Sequence, residues 1–274
     1  MTSPQEELIF MIILYPNITF MDISIVIICK NDAAGLERTL RSISDLDAEI
    51  LVYDYGSTDE SKETALKNGA RFYAGKCGKY EYMRFQAARQ AIHDWILMLH
   101  TDEVVDDELR KSLQRFDHAS LKQVYRIQFK NYFGNRWMRH GELGRYSHIR
   151  FANRKGVKAD GENVYEELFY QPGILIKNIN GYILHRAVKD TQAFAHKIIH
   201  DALLWAARSH RKGKKAGMTK QYLSPAFAFI KNYFFKLGFL DGGEGYFFAK
   251  MGARYNFLKY ARLRELNDSS KRKI

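Results

Sequence analysis

Apolar positions along this chain follow two rhythms. Short continuous runs rich in β-branched residues occur at Ile23 to Cys29 (ISIVIIC), up to Asp54, at Ala70 to Ala74, at Trp95 to Leu99 and at Val124 to Phe129. Such runs read as strands, and the first as one buried on both faces. Between them lie helix-like stretches at Leu36 to Ile43, Ser57 to about Asn68 closed by Gly69, Tyr80 to His93 and Asp106 to Phe116. Regular alternation of strand and helix predicts an α/β fold with a mostly parallel, doubly wound sheet and right-handed crossovers. Residues 131–184 read as irregular and mixed, and a long helix is expected from Thr191 to Arg208. The basic run RKGKK at 211–215 then reads as a linker to an aromatic C-terminal module, which GFLDGGEG splits into two amphipathic helices.

The polar residues that end these strands carry the candidate chemistry. In ILVYDYGSTDES the apolar run stops at Asp54, Gly56 permits a tight turn, and Ser57 with Glu60 has the spacing of a capping box opening the next helix. A carboxylate there can accept hydrogen bonds from a base or ribose, beside helix N–H groups that favour phosphate, although many such turns hold no nucleotide. The strand WILMLHTDE brings Asp102 and Glu103 to the same edge if the strands are parallel. Mg²⁺ or Mn²⁺ bound with a nucleotide takes one or two carboxylates, while phosphates and water fill its other positions. The competing reading is an acidic helix entrance, since Asp106 and Asp107 follow. In ADGENVYEELFY, Glu162, Glu166 and Glu167 either include a base for an acceptor hydroxyl or form a solvated acidic loop. His185, after the apolar GYIL, is either a metal ligand or a solvated histidine, and the spacing of His196 and His200 fits a solvated helix face.

Charge changes the picture because of where it sits. The net charge of +12 over 274 residues is concentrated at one end: residues 1–184 hold 24 Lys/Arg against 25 Asp/Glu, and residues 185–274 hold 19 against 6. From Tyr222 to Tyr260, 13 of 39 residues are aromatic, interleaved with lysines. Three readings stay open for that stretch: a membrane interface with anionic lipid, a stacking surface for single-stranded nucleic acid, or ordinary core. Bulky apolar faces disfavour nucleic acid. Two cysteines, Cys29 and Cys77, fit a reducing compartment rather than a disulfide framework. The run LIFMIIL near the start is too short to span a bilayer and lacks a basic leader, and residues 1–20 read as an extension ahead of Met21.

Taken together, ISIVIICKND, AEILVYDYGSTDES, WILMLHTDE, KNYFGNRWMRHGELG, ENVYEEL, ILHR and the aromatic segment from Tyr233 to Tyr260 resemble a family 2 glycosyltransferase with the Rossmann-like GT-A fold. Within that family the likeness is to the bacterial lipopolysaccharide core glucosyltransferases. The resemblance implies a catalytic domain over 21–190 and a basic, aromatic, membrane-associating helical extension over 191–274. It implies that Lys30, Asn31, Asp54 and Arg84 line the nucleotide pocket, that Asp102 and His185 lie at a Mg²⁺ or Mn²⁺ ion, and that Glu166 is the catalytic base. It further implies inverting transfer of a hexose from a nucleotide sugar, UDP-hexose, to a lipopolysaccharide or other surface glycan on the cytoplasmic face of the inner membrane. Two positions depart from the family pattern: His100 replaces the first acid of D-x-D, and Tyr165 replaces the His before Glu166. The first departure sustains an alternative, a catalytically lapsed sugar-nucleotide binder or membrane-associated scaffold.

Overall fold

The computed structural model describes residues 22–76, 80–116, 121–156, 173–188 and 190–271. The acidic segment 159–170 with Glu166, the extension 1–20 and Cys77 lie outside the described residues.

The chain opens with β1 (Ile23–Cys29), buried along its whole length. It continues through α1 (Ala33–Arg41), β2 (Glu49–Asp54), α2 (Ser61–Lys67), β3 (Arg71–Ala74), α3 (Tyr80–Gln90) and β4 (Trp95–His100). These strands pair in parallel in the order β3-β2-β1-β4. Helical crossovers between parallel strands explain the alternation in the sequence. The register sets Cys29 opposite Asp54 and Ile28 opposite His100, so the carboxyl ends of three strands come level.

One helix start differs from the spacing rule. α2 begins at Ser61, with Glu60 at its cap making no side-chain bond, rather than at Ser57. The Ser57 hydroxyl is engaged elsewhere: it donates to the Asp54 carboxylate and accepts from the Asn31 N–H at 2.8 Å. Asp59 orders the turn instead, accepting from Ser61 N–H (3.2 Å), the Ser61 hydroxyl (2.6 Å) and Ala33 N–H (3.0 Å).

The chain goes on as β5 (Glu103–Val105), α4 (Asp107–Gln114), β6 (Gln123–Phe133), β7 (Arg136–Met138), β8 (Tyr146–Asn153) and β9 (Leu175–Val188). Thus much of 131–184 is strand, not irregular chain, and the sheet loses its parallel character: β8 runs antiparallel to β4, and β7 to β6. The later strands were obscured because charges such as Arg150 interrupt their apolar pattern, whereas β6 follows the run Val124 to Phe129, with Tyr125, Ile127, Phe129 and Asn131 alternating inward. Trp95, Phe116, Tyr125 and Phe151 interlock edge-on there, with Phe116 centred 4.7 Å from Phe151 and 4.8 Å from Trp95.

The fold divides into two compact units. One comprises the described residues up to Ile127 with His148–Ile183, and the other Gln128–Ser147 with the chain from Leu184 onward. The second unit is mainly helical: α5 (Thr191–Arg211), α6 (Met218–Ile230), a π turn (Lys231–Phe235), a 3-10 turn (Gly238–Asp241) and α7 (Gly242–Lys271). Its core gathers Met138, Val188 and Phe248, with Phe133, Phe194 and Phe247 against them. Asp241 accepts from the His140 N–H at 2.8 Å and pairs with the His140 ring at 2.9 Å, tying residue 140 to the 3-10 turn.

Candidate active site

At the exit of β1 and β2 the backbone is held by side chains rather than by regular pairing. Asn31 takes a left-handed φ of 50°, which Asn tolerates better than most residues, and its Oδ1 accepts from Thr58 N–H at 2.7 Å. Asp54 is 5% exposed and accepts from Gly56 N–H (3.0 Å), Ser57 N–H (2.9 Å) and the Ser57 hydroxyl. Three of its roughly four lone-pair sites are therefore committed to the turn. Gly56, with φ 105°, adopts a conformation that strongly favours glycine. Lys30 is exposed beside this turn, its Nζ 5.2 Å from the centre of the Tyr55 ring. The three predicted residues Lys30, Asn31 and Asp54 thus meet at one strand-end turn. Gly75 closes its far side, where a Cβ would come within 2.1 Å of the Tyr53 ring.

The loop after β4 forms the neighbouring corner. One candidate ligand atom each from His100, Asp102 and Glu103 lies within 4.8 Å of the others. Their surroundings differ. Glu103 is fully buried, paired through Oε1 with Arg150 (2.8 Å), while its Oε2 accepts from His100 N–H (3.0 Å). Arg150 also lies 3.2 Å from His100 Nε2, which as acceptor must carry no proton. That fits the basicity of the ring, pushed down to about 4 by burial first, with the Arg150 and Arg84 cations adding to it against the raising effect of Glu103 and Asp102. Arg84, carried by α3 and 2% exposed, is a buried cation near enough to act on the His100 ring. Asp102 is half-buried. As Glu103 is committed to Arg150, the Asp102 carboxylate is the oxygen ligand this corner offers a hard cation.

α1 fixes the loop from below. The Thr39 hydroxyl reaches the Glu103 carbonyl at 2.7 Å, and Ser42 Oγ accepts from Val105 N–H at 3.1 Å. A Cβ on Gly35 would sit 2.7 Å from the Thr101 carbonyl, so the helix approaches at a distance only glycine allows. Sequence reasoning missed Arg150, Thr39 and Gly35. A detectable signal existed in one case, since a buried acid in HTDE calls for a cation on a neighbouring strand.

His185, the other predicted metal residue, belongs to the second unit. Its Nδ1 lies 2.8 Å from Asn131 Oδ1, and Asn131 is oriented by its amide N–H bond to the Leu143 carbonyl at 2.7 Å. Nδ1 is then the donor and Nε2 the acceptor nitrogen. This ring forms part of the wall of a cavity of about 380 Å³ within that unit, shared with Glu142, Lys197, Asp201 and Tyr255.

The aromatic stretch splits between core and surface. Phe248 is buried, whereas Leu223, Phe227, Phe234 and Phe235 are 64%, 62%, 54% and 75% exposed. Among the described residues no helix is long and apolar enough to cross a membrane.

The carboxyl edge of the parallel strands gathers a capped acidic turn and a carboxylate corner, the place where open α/β sheets take their ligands. Residues 24–169 match glycosyl transferase family 2, and the chain belongs to that family. It is similar to an uncharacterized glycosyltransferase of Rickettsia typhi, 25% identical over 267 residues covering 92% of this chain and 90% of the relative. A Rickettsia prowazekii glycosyltransferase, also uncharacterized, is 24% identical over 263 residues, with 92% and 90% covered. Among solved structures, the Mycobacterium tuberculosis glucosyl-3-phosphoglycerate synthase complexed with Mn²⁺, UDP and glucosyl-3-phosphoglycerate is similar at 20% identity and a TM-score of 0.44, over 66% of this chain and 77% of that one.

Proposed function

We propose that the protein is an inverting glycosyltransferase that moves a hexose from UDP-hexose to a lipopolysaccharide or other surface-glycan acceptor. The observation that carries this reading is the level strand edge on which the Asp54 turn and the His100–Asp102 corner meet. Asp54 and Asn31 shape the turn that receives the uridine, and Lys30 with the buried Arg84 supplies positive charge for the diphosphate. Asp102 holds a Mg²⁺ or Mn²⁺ ion, with His100 as a neutral neighbour of the ion in place of a second acid. Such an ion, when bound, offsets the charge that develops on the departing diphosphate. Glu166 is the carboxylate assigned to take the proton from the acceptor hydroxyl as that oxygen attacks the anomeric carbon from the opposite face.

The basic residues 185–274 and the exposed rings of α6 and the π turn support a peripheral position on anionic membrane, at the cytoplasmic face of the inner membrane. Lys220, Lys231 and Lys236 flank those rings, and each surface-proximal cation contributes about 1 kcal/mol of attraction. The test is UDP release from UDP-hexose with Mn²⁺ present, with and without a lipopolysaccharide acceptor. Acceptor-stimulated release supports the reading; UDP bound tightly without any turnover marks the catalytically lapsed alternative.

A further inference from the structure

The cavity of the second unit has a composition of its own. At about 380 Å³ it falls within the range of small-molecule sites. Phe194, Phe248, Tyr146 and Tyr255 give its wall aromatic surface, while Glu142 and Asp201 bring two carboxylates against the single ammonium of Lys197. Burial pushes the Tyr255 hydroxyl above its usual range, and the nearby Asp201 and Glu142 carboxylates push it further, so it stays protonated at neutral pH. Lys197 and the tyrosine hydroxyls can donate, whereas Glu142 and Asp201 can only accept. A phosphate entering here would face two carboxylates, whereas the hydroxyls of a neutral sugar ring offer the donors those carboxylates lack, and its C–H face can lie on the rings.

The carboxylate of Glu142 is placed by the helix beneath it. Its Oε2 lies 3.4 Å from Asn232 Nδ2, and a Cβ on Gly252 would come within 2.9 Å of it. Glycine in a helix interior weakens the helix by roughly 1 kcal/mol relative to alanine. Here the missing Cβ leaves room for a carboxylate at the cavity wall.

We propose that this cavity is a saccharide-binding pocket that seats a neutral pyranose ring, with Glu142 and Asp201 accepting its hydroxyl hydrogens and the aromatic wall carrying its apolar face. Its identification with the acceptor rests on the glycosyltransferase reading above. Binding itself does not depend on that reading.

Saturation-transfer NMR on the full chain, with methyl β-D-glucopyranoside and methyl α-D-mannopyranoside as probes and inorganic phosphate as competitor, tests the pocket. At least one glycoside should receive saturation from the wild type and resist displacement by phosphate. Glu142→Gln with Asp201→Asn should weaken it about fivefold or more, as expected for lost charged acceptors. Gly252→Ala should do the same through displacement of Glu142 while keeping or raising thermal stability, which separates the effect from unfolding. No transfer to either glycoside, transfer unchanged in all variants, or displacement by phosphate would overturn the proposal. UDP affinity, followed in parallel by calorimetry, should be the same in every variant. Failure of UDP binding with glycoside binding intact would count against the donor reading alone.

Discussion

Arg150→Met removes the cation under the carboxylate corner, and its effect can be worked from the burial of the pair. The Arg150 and Glu103 side chains are 9% and 1% exposed, at 2.8 Å. Losing one partner of a buried ion pair leaves an uncompensated charge and typically costs about 3–5 kcal/mol. Glu103 keeps its bond from His100 N–H, so the lower end, about 3 kcal/mol, is expected. Adding Glu103→Gln removes the stranded charge, and the double variant should recover about 2 kcal/mol of that loss. The loss belongs to the first unit, so global unfolding of the chain is a poor probe. Native-state hydrogen exchange, read on peptides from β1 and β4, reports the opening of that sheet directly. UDP affinity should fall with it, because Arg150 also fixes His100, and Glu103 anchors the loop carrying Asp102. A loss below about 1 kcal/mol in Arg150→Met, or a double variant no more stable than the single one, would refute the view that this buried pair sets the loop.

Asp102→Asn should abolish transfer with sheet protection unchanged, and near-normal turnover at saturating Mn²⁺ would remove Asp102 from the site. Asp54→Ala should lower both UDP affinity and stability, the latter by about 1–3 kcal/mol for the N–H groups left without their acceptor, so a pure affinity defect would show that the turn does not need it. His100 adds a pH dependence to the metal-free protein. Its folded value of about 4 lies below the ordinary 6.5, so the unfolded state binds the extra proton between those values. Stability from the neutral ring is then complete above pH 6.5 and is lost as pH falls toward 4, and His100→Gln should flatten that limb by up to about 1.4 kcal/mol per pH unit. An unchanged slope would contradict the assignment. Phe234→Ser with Phe235→Ser should release the chain from anionic liposomes in flotation, each ring being worth about 2 kcal/mol of burial, while UDP binding persists. Equal flotation of wild type and variant would exclude this face.

The parallel half of the sheet was legible because its strands are continuous apolar runs that end in abrupt polar exits. Asp54 and Asp102 stood out for the same reason, as carboxylates at or just past the ends of buried strands, and the structure adds that Asp54 holds the turn after β2. The helix start at Ser57 was misread because the capping spacing is local, whereas the Ser57 hydroxyl is claimed by Asp54 and by Asn31 on another strand. β8 and β9 were missed because their alternation is broken by charges such as Arg150, whose partner lies 47 residues away. Aromatic density in the C-terminal stretch gave the composition of that region but not its division. Phe248 is core and Phe235 is surface, a distinction set by how α7 packs on Met138 and Val188. For that reason, cutting the chain after Arg208 would remove part of the core of the second unit, and point changes on the exposed rings are the better probe of membrane binding.

On the proposed function, the strand edge of β1, β2 and β4 binds a uridine diphosphate together with a divalent ion at Asp102. Titration calorimetry of UDP into the full chain, with and without Mn²⁺, on wild type and Asp102→Asn tests it most directly. The wild type should bind UDP, with Mn²⁺ strengthening the affinity at least tenfold, and Asp102→Asn should lose that strengthening. UDP affinity identical in the two proteins with Mn²⁺ present, or no UDP binding by the wild type at all, would contradict it.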